Sequence, residues 1–168
     1  MRPMVEEFLE AAFAGESQAA MKYQIFAVRA EKEGLDNVAR LFRAIAFAEY
    51  SHARNHLRAL GRIGASADNL QTAIDGENFE TLEMYPAYNL VAEDQGEKKA
   101  AQSTEWAMKA EAVHAEMYEQ AKKAVQEGRD AEVGKLWICE PCGWTVMGDS
   151  PPDRCPVCGS LMERFVGF

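Results

Sequence analysis

The chain has 168 residues and a formal net charge of −9, with 48% apolar and 27% charged residues. This composition is ordinary for a soluble globular protein, and its negative charge would repel phosphates, which argues against a nucleic-acid partner. No apolar run approaches the ~20 residues that cross a bilayer, and the N-terminus lacks the pattern of a signal peptide. We therefore expect a cytoplasmic protein with no membrane association, long enough for one mid-sized domain and one small one.

Most of the chain is predicted to be helical. Residues 4–126 are rich in Ala, Glu, Lys, Leu and Met, and their apolar residues recur at helical spacing. Breaks at 34–37, at 61–69 and at Gly96 divide this stretch into four helices of roughly 25 to 30 residues. Pro86 lies within the third helix, where we expect a local kink.

The four helices are predicted to be a repeated pair. Each half carries a Glu on one helix and a Glu-x-x-His motif on the next. The residues paired by the repeat are Glu49 with Glu111 and His52 with His114 at a shift of 62, and Glu16 with Glu77 at a shift of 61. Two such hairpins pack about a pseudo-twofold axis into an antiparallel bundle. The second pair requires either a crossover connection or a swapped arrangement, and the sequence leaves both open.

The repeated residues lie on the apolar faces of their helices, so their carboxylates are directed toward the core. Buried carboxylates are strongly destabilising unless cations neutralise them. Glu and His at i and i+3 can reach a common ion, and one Glu from each of two helices plus Glu-x-x-His from the other two is the ligand set of carboxylate-bridged di-iron bundles. This mixture suits iron or manganese better than structural zinc. The predicted ligands are Glu16, Glu49, His52, Glu77, Glu111 and His114.

A few residues break or extend this symmetry. Glu80 corresponds to Ala19 in the first half, so the site gains a fifth carboxylate. Tyr23 and Tyr85 are related by the repeat and are candidates to hydrogen-bond ligand carboxylates, although a plain core role is nearly as consistent with their positions. His56 has no histidine counterpart in the second half, which favours a role at the edge of the core or as a neighbour of a metal ligand.

The last thirty residues have a different character. All four cysteines of the chain lie there, in the form C-x2-C-x12-C-x2-C: Cys139, Cys142, Cys155 and Cys158. Clustered pairs of this kind indicate a metal site rather than disulfides, and the Gly after each second Cys permits the tight turn that directs amides at sulfur. Four thiolates can hold one zinc or one iron, and the spacing alone does not decide between them.

This change of character sets the predicted domain boundary. We divide the chain into a four-helix bundle at residues 1–134 and a small metal-binding domain at residues 135–168. Some thirty residues cannot fold on apolar burial alone, so the small domain needs its metal. Trp137, Trp144 and Phe165 are its predicted core.

Taken together, these motifs resemble the rubrerythrin family over essentially the whole chain. The resemblance is carried by five stretches: Gly15-Glu-Ser-Gln, Ala48-Glu-Tyr-Ser-His-Ala-Arg-Asn-His56, Gly76-Glu-Asn-Phe-Glu80, Glu83-Met-Tyr-Pro86, and the tail from Trp137 to Gly159. It implies a mainly α fold, in which a ferritin-like four-helix bundle is followed by a small rubredoxin-like β/knuckle domain. It also implies a homodimer, since rubrerythrins are commonly dimers.

The resemblance further implies an activity in oxidative-stress defence. Hydrogen peroxide would be reduced at a di-iron centre, with electrons arriving from a redox donor, such as a rubredoxin or a reductase, through one iron in the tetracysteine site, where zinc is a possible substitute. Carried over by position, Glu80 joins the six ligands above, and Glu49 and Glu111 bridge the two irons. One iron would exchange Glu80 for His52 on reduction, with Tyr23 and Tyr85 nearby.

Three other functions use similar residues. A ferritin-type ferroxidase or iron-storage protein has the same bundle, but a redox tail has no evident use in storage. A di-iron oxygenase needs an apolar substrate pocket. A non-enzymatic metal-binding protein would carry a structural zinc in its tail.

Overall fold

The N-terminal part of the chain is a long helical hairpin. In a computed structural model that describes residues 1–168, the chain divides into two compact units, residues 1–64 and residues 65–168. The first unit consists of α1 (Pro3–Lys32) and α2 (Asp36–Ala59). Gly34, with φ of +73°, supplies the left-handed residue that ends α1, so the chain reverses within a few residues. No helix of the chain is both long enough and apolar enough to cross a bilayer.

The seam of this hairpin is made of alanine. The buried side chains of the first unit are Ala20, Ala27, Ala30, Ala39, Ala46 and Ala53. In α2 they recur every seven residues, which keeps one stripe of the helix against its neighbour. The fully buried positions hold only methyl groups, and many of the larger apolar side chains of the two helices remain exposed. Phe8, Ile25, Leu41 and Phe47 are all exposed.

The second unit begins with three further helical segments. These are α3 (Ser66–Phe79), a π-helical turn (Glu80–Met84) and α4 (Tyr85–Asp94), followed by the long α5 (Lys98–Gln126). Both α3 and α4 pack on α5. The Asn89 side-chain amide fixes α4 against α5, because it donates hydrogen bonds to the Ala101 carbonyl (2.8 Å) and to Thr104 Oγ1 (3.0 Å).

The π-helical turn accounts for an irregularity of the repeat. The Tyr85 amide donates to the Glu80 carbonyl, an i to i−5 bond that accommodates one more residue than an α-turn. The repeat is related by a shift of 61 before this turn and by 62 after it. The extra residue of the second half therefore lies within the turn. We predicted a kink at Pro86, and the irregularity lies directly before it, where the missing proline N–H would otherwise interrupt the α-helical bonding.

A three-stranded antiparallel sheet forms the C-terminal domain. Its strands are β1 (Leu136–Cys139), β2 (Thr145–Met147) and β3 (Phe165–Gly167), in the order β2-β1-β3. The predicted small core is confirmed, since Trp137, Trp144 and Phe165 pack around the cysteines. The Trp144 and Phe165 rings meet edge to face, with centroids 6.3 Å apart. Trp106 of α5 packs against the same cluster, a contact that the sequence did not predict.

The predicted fold class is confirmed: four helices, the third interrupted, precede a small knuckle domain. The predicted boundary between residues 134 and 135 lies inside the second compact unit and precedes β1 by one residue. As a boundary between independently folding domains it stays a prediction.

Candidate metal centres

The four cysteine sulfurs form one compact cluster. All lie within 4.8 Å of one another, and the Cys139–Cys158 and Cys142–Cys155 sulfurs are each 3.5 Å apart. A tetrahedral ion with metal–sulfur bonds of about 2.3 Å requires sulfurs about 3.8 Å apart, so this cluster fits a single ion. Gly143 and Gly159 follow the second cysteine of each pair and have φ of +78° and +75°, as the predicted knuckle turns require.

The thiols of this cluster differ in acidity. Burial raises the pKa of Cys139 to about 11, and it also raises the pKa of Cys142. Burial acts in the same direction on Cys158, but its hydrogen bonds with Ser160, Cys139 and Cys142 together outweigh burial and lower the pKa of Cys158 to about 7. Cys158 is also the one cysteine that is not fully buried. Since the thiolate is the metal ligand, the lowered pKa of Cys158 favours metal binding at this sulfur.

The first unit carries a cluster of three predicted ligands. Glu16 of α1 lies with Glu49 and His52 of α2, and one ligand atom from each lies within 4.8 Å of the other two. His52 Nδ1 is 2.8 Å from Glu49 Oε2, as the i, i+3 spacing predicts. The His52 side chain is 55% exposed and makes no other hydrogen bond in this unit.

The second unit carries the matching cluster. Glu77 of α3 lies with Glu111 and His114 of α5, again within 4.8 Å of one another. His114 Nδ1 is 2.6 Å from Glu111 Oε2. Burial raises the pKa of Glu77 to about 7, and the charge of Glu111 and a hydrogen bond to it act in the same direction. These carboxylates retain protons because they are crowded together. A bound cation would replace the protons and remove the repulsion between the carboxylates, as expected of metal ligands.

The remaining predicted site residues lie in different surroundings. Glu80 begins the π-helical turn, outside the three-residue cluster, and burial followed by the charge of Glu111 raises its pKa. Burial and then the Glu80 charge raise the pKa of Tyr85, so that phenol lies among the carboxylates. Its repeat counterpart Tyr23 instead packs on the Phe26 and Phe42 rings, with centroids 6.4 and 6.1 Å away.

One contact at the second cluster was not predicted. His114 Nε2 is 2.9 Å from the hydroxyl of Thr145, a buried residue at the start of β2 in the tetracysteine domain. The Thr145 hydroxyl in turn donates to the Gly143 carbonyl at 3.1 Å. No signal in the sequence could have identified this link, because the two halves of the repeat end before the tail begins.

A cavity of about 590 Å³ adjoins this link. It lies between the C-terminal half of α5 and the small sheet, and its lining includes His114, Tyr118, Leu136, Ile138 and Thr145. Most of the lining is apolar. Neither Glu77 nor Glu111 of the second cluster lines it.

Two clusters of glutamate and histidine on long helices, with a tetracysteine knuckle, define a ferritin-like di-iron protein that carries a rubredoxin-like iron domain. Family profiles described as "Rubrerythrin" and "Rubrerythrin, rubredoxin-like domain" match residues 7–122 and 137–166. The chain therefore belongs to the rubrerythrin family, whose members are di-iron proteins of oxidative-stress defence.

Individual relatives agree with this assignment. The chain is 38% identical to Rubrerythrin-2 of Clostridium acetobutylicum, over 98% of the chain and 97% of that protein. It is 33% identical to nigerythrin of Nitratidesulfovibrio vulgaris, over 96% of the chain and 85% of that protein. A solved structure described as the partially reduced state of nigerythrin superimposes with a TM-score of 0.57 at 31% identity, covering 97% of this chain and 86% of that one.

Proposed function

We propose that this protein reduces hydrogen peroxide to water, using electrons that pass through its tetracysteine iron. The observation that carries the proposal is the direct hydrogen bond between Thr145 of the tetracysteine domain and His114 of the carboxylate cluster. A one-electron centre joined to a di-iron ligand suits a redox enzyme, whereas a storage protein has no use for the connection. Bound iron would supply two electrons to peroxide, which with two protons gives two molecules of water.

The proposed di-iron ligands are the two clusters together with Glu80. Glu49 and Glu111, each paired with a histidine three residues later, are the proposed bridging carboxylates. The exchange of Glu80 for His52 is supported by a difference between the histidines: His52 is half exposed and bonded on one side only, so its ring can move. The charge of Glu80 acts on Tyr85, whereas Tyr23 packs on aromatic rings, which supports a role for Tyr85 over Tyr23.

We further propose that the protein works as a homodimer. Each hairpin buries little more than alanine, and large apolar side chains such as Phe8, Leu41 and Phe47 in the first unit and Leu82 and Leu90 in the second are exposed. Exposed apolar surface of this extent is typical of faces that another subunit covers. In a ferritin-like bundle these are the faces along which one hairpin packs on another.

The connection between the two hairpins is short, which favours packing of each hairpin on a hairpin of a second copy of the chain. A ferritin-like bundle joins its hairpins by a long crossover. From His52 to the end of α2, and from the start of α3 to Glu77, the helices extend about 10.5 Å and about 16.5 Å, so a crossover must run about 27 Å along the bundle. The connection 60–65 reaches at most about 25 Å when fully extended. It is shorter in practice, because Gly61 closes α2 with a turn. We propose that each di-iron centre combines α1 and α2 of one copy with α3 to α5 of the other.

The activity can be tested in the full-length protein by changing one metal. Protein with iron in the bundle is prepared with either iron or zinc in the tetracysteine site, reduced, and mixed with hydrogen peroxide or dioxygen in a stopped-flow instrument. Both forms should consume about one equivalent of peroxide in a single turnover, because two electrons are stored in the bundle. Only the iron form should sustain turnover with an external donor, since zinc cannot change oxidation state.

The same experiment tests the alternatives. A preference for dioxygen, deposition of many irons per chain and equal behaviour of the zinc and iron forms would favour a ferroxidase of the ferritin type and contradict the proposal. An oxygenase is less well supported, since the one large cavity near the cluster contacts none of its carboxylates.

A further inference from the structure

The hydroxyl of Thr145 occupies a position that determines the tautomer of His114. Thr145 has one hydrogen to donate, and the Gly143 carbonyl at 3.1 Å can only accept it. The His114 Nε2 atom, 2.9 Å from the same oxygen, must therefore be the donor of its bond to Thr145. A neutral imidazole with its proton on Nε2 has a lone pair on Nδ1. That lone pair points toward Glu111 Oε2 at 2.6 Å. Two electron-pair atoms this close are arranged as ligands of one shared cation.

The equivalent histidine of the repeat lacks this support. His52 also approaches its glutamate through Nδ1, but its side chain is 55% exposed, whereas that of His114 is 26% exposed. Only the second half of the repeat is followed by the tetracysteine domain, and only there does a buried hydroxyl reach the ring. Two residues that the repeat makes equivalent thus differ at their outer nitrogen: Nε2 of His114 bonds to a buried hydroxyl, whereas Nε2 of His52 makes no hydrogen bond.

We propose that Thr145 is a positioning residue for His114. Its hydroxyl holds the ring in the Nε2–H tautomer with Nδ1 toward the metal, and it joins the loop that carries Cys142 and Gly143 to the ligand cluster of the same chain. Partners of this kind, bonded to the outer nitrogen of a ligand histidine, typically change metal affinity by about 10- to 100-fold when removed. The proposal rests on the metal-binding part of the proposed function and does not depend on peroxide as the substrate.

The test compares Thr145→Val, which removes the hydroxyl at nearly constant volume, with Thr145→Ser, which retains it. The protein is labelled with ¹⁵N-histidine and loaded with zinc in all sites, so that iron does not broaden the signals. The chain has only three histidines, which makes their assignment direct. In the wild-type protein and in T145S, the His114 Nε2–H should exchange slowly with water. In T145V it should exchange rapidly, while the His52 and His56 signals stay unchanged as internal controls.

Zinc affinity of the bundle provides a second measurement. Competition with a chromophoric chelator should give an affinity about tenfold weaker for T145V and within about twofold of wild type for T145S. Integrity of the small domain is checked by the charge-transfer absorption of an iron-loaded sample. If T145V does not retain that absorption, Thr145→Ala replaces it and the same changes are expected. A protected Nε2–H and unchanged zinc affinity in the variant without the hydroxyl would overturn the proposal.

These outcomes are separable from the activity. A protein that shows the predicted exchange and affinity changes but does not react with peroxide would contradict the proposed reaction and leave the role of Thr145 intact. The reverse result, normal peroxide turnover with no effect of T145V on exchange or affinity, would leave the reaction and remove the positioning role.

Discussion

Glu77 is the carboxyl group whose protonation differs most from its ordinary behaviour. Burial and the neighbouring Glu111 raise the pKa of Glu77 from 4.5 to about 7. A carboxyl whose pKa is raised on folding contributes its full stability at a pH below the pKa of the unfolded chain. This contribution is lost as the pH rises through the folded-state pKa of about 7. The metal-free protein should therefore lose stability between about pH 5 and pH 8, because Glu77 is then forced to ionise beside Glu111.

This predicts an unusual effect of Glu77→Gln. At about pH 8 the metal-free variant should melt roughly 2–4 °C higher than wild type, after allowance for screening of a partly exposed group, and at about pH 5 the two should melt together. Calorimetry in the presence of a chelator measures this. Glu83→Gln, at an exposed position in the same segment, is the matched control and should give no pH-dependent gain. Equal melting of E77Q and wild type at pH 8 would mean that the carboxylates do not repel one another.

Glu80 gives a second prediction at this scale. Replacing Glu80 by Ala should leave the protein folded and able to bind two irons through the six remaining ligands, while peroxide turnover falls about tenfold. Iron analysis and steady-state turnover measure the two effects separately. Glu83→Ala serves as the control because it removes a carboxylate from the same turn. Turnover of E80A equal to that of wild type would exclude Glu80 from the reaction.

Individual residues also indicate what a sequence can predict. The pairs Glu49–His52 and Glu111–His114 were predictable because i, i+3 spacing on a helix brings side chains together whatever surrounds them. The cysteine cluster was also predictable from local spacing, because each Cys-x-x-Cys pair forms a knuckle turn of its own. The bond between His114 and Thr145 joins residues far apart in the chain, and nothing in either local pattern requires it. Tyr23 and Tyr85 illustrate the same limit, since the repeat relates them although their surroundings differ.

The π-helical turn is the main irregular element of the bundle. It allows Glu77 and Glu80 to face the metal cluster while Asn89, further along, still bonds to α5. A regular α-helix rotates about 100° per residue, so one residue more or fewer cannot satisfy both contacts. The sequence contained the signal, a change in repeat shift from 61 to 62, but not the form that the extra residue would take.

Deleting Leu82, an exposed residue within this turn, should convert it to regular α-helix. Helix content by circular dichroism should be retained, whereas either Glu77 and Glu80 or the Asn89 contact must rotate away from α5. We expect bundle iron to fall well below that of wild type, while the absorption of the tetracysteine iron is unchanged. Leu82→Ala, which keeps the residue count, is the control. Full iron loading of the deletion variant would show that the extra residue is not needed.

At the scale of the whole molecule, the short connection 60–65 predicts that active centres are shared between chains. One variant carries Glu49→Gln and His52→Ala, and another carries Glu111→Gln and His114→Ala. Each variant alone should lose the di-iron centre. When the two are co-expressed and the mixed dimer is isolated, one complete centre and one fully impaired centre should form, giving about half of the wild-type bundle iron and peroxide turnover. Absence of any recovery in the mixed dimer would mean that each centre is built from one chain.

The alanine seam of the first hairpin has a kinetic and cellular consequence. Methyl groups bury little surface, so an unassociated chain has few apolar contacts of its own to hold it folded. In the proposed homodimer, folding and pairing would then be a single equilibrium, and apparent stability would rise with protein concentration. If each di-iron centre needs two chains, as proposed, and association is weak, the number of complete centres would follow the square of the chain concentration. Halving expression would leave about a quarter of the capacity, so a modest reduction in synthesis would act on the cell as a strong inhibitor.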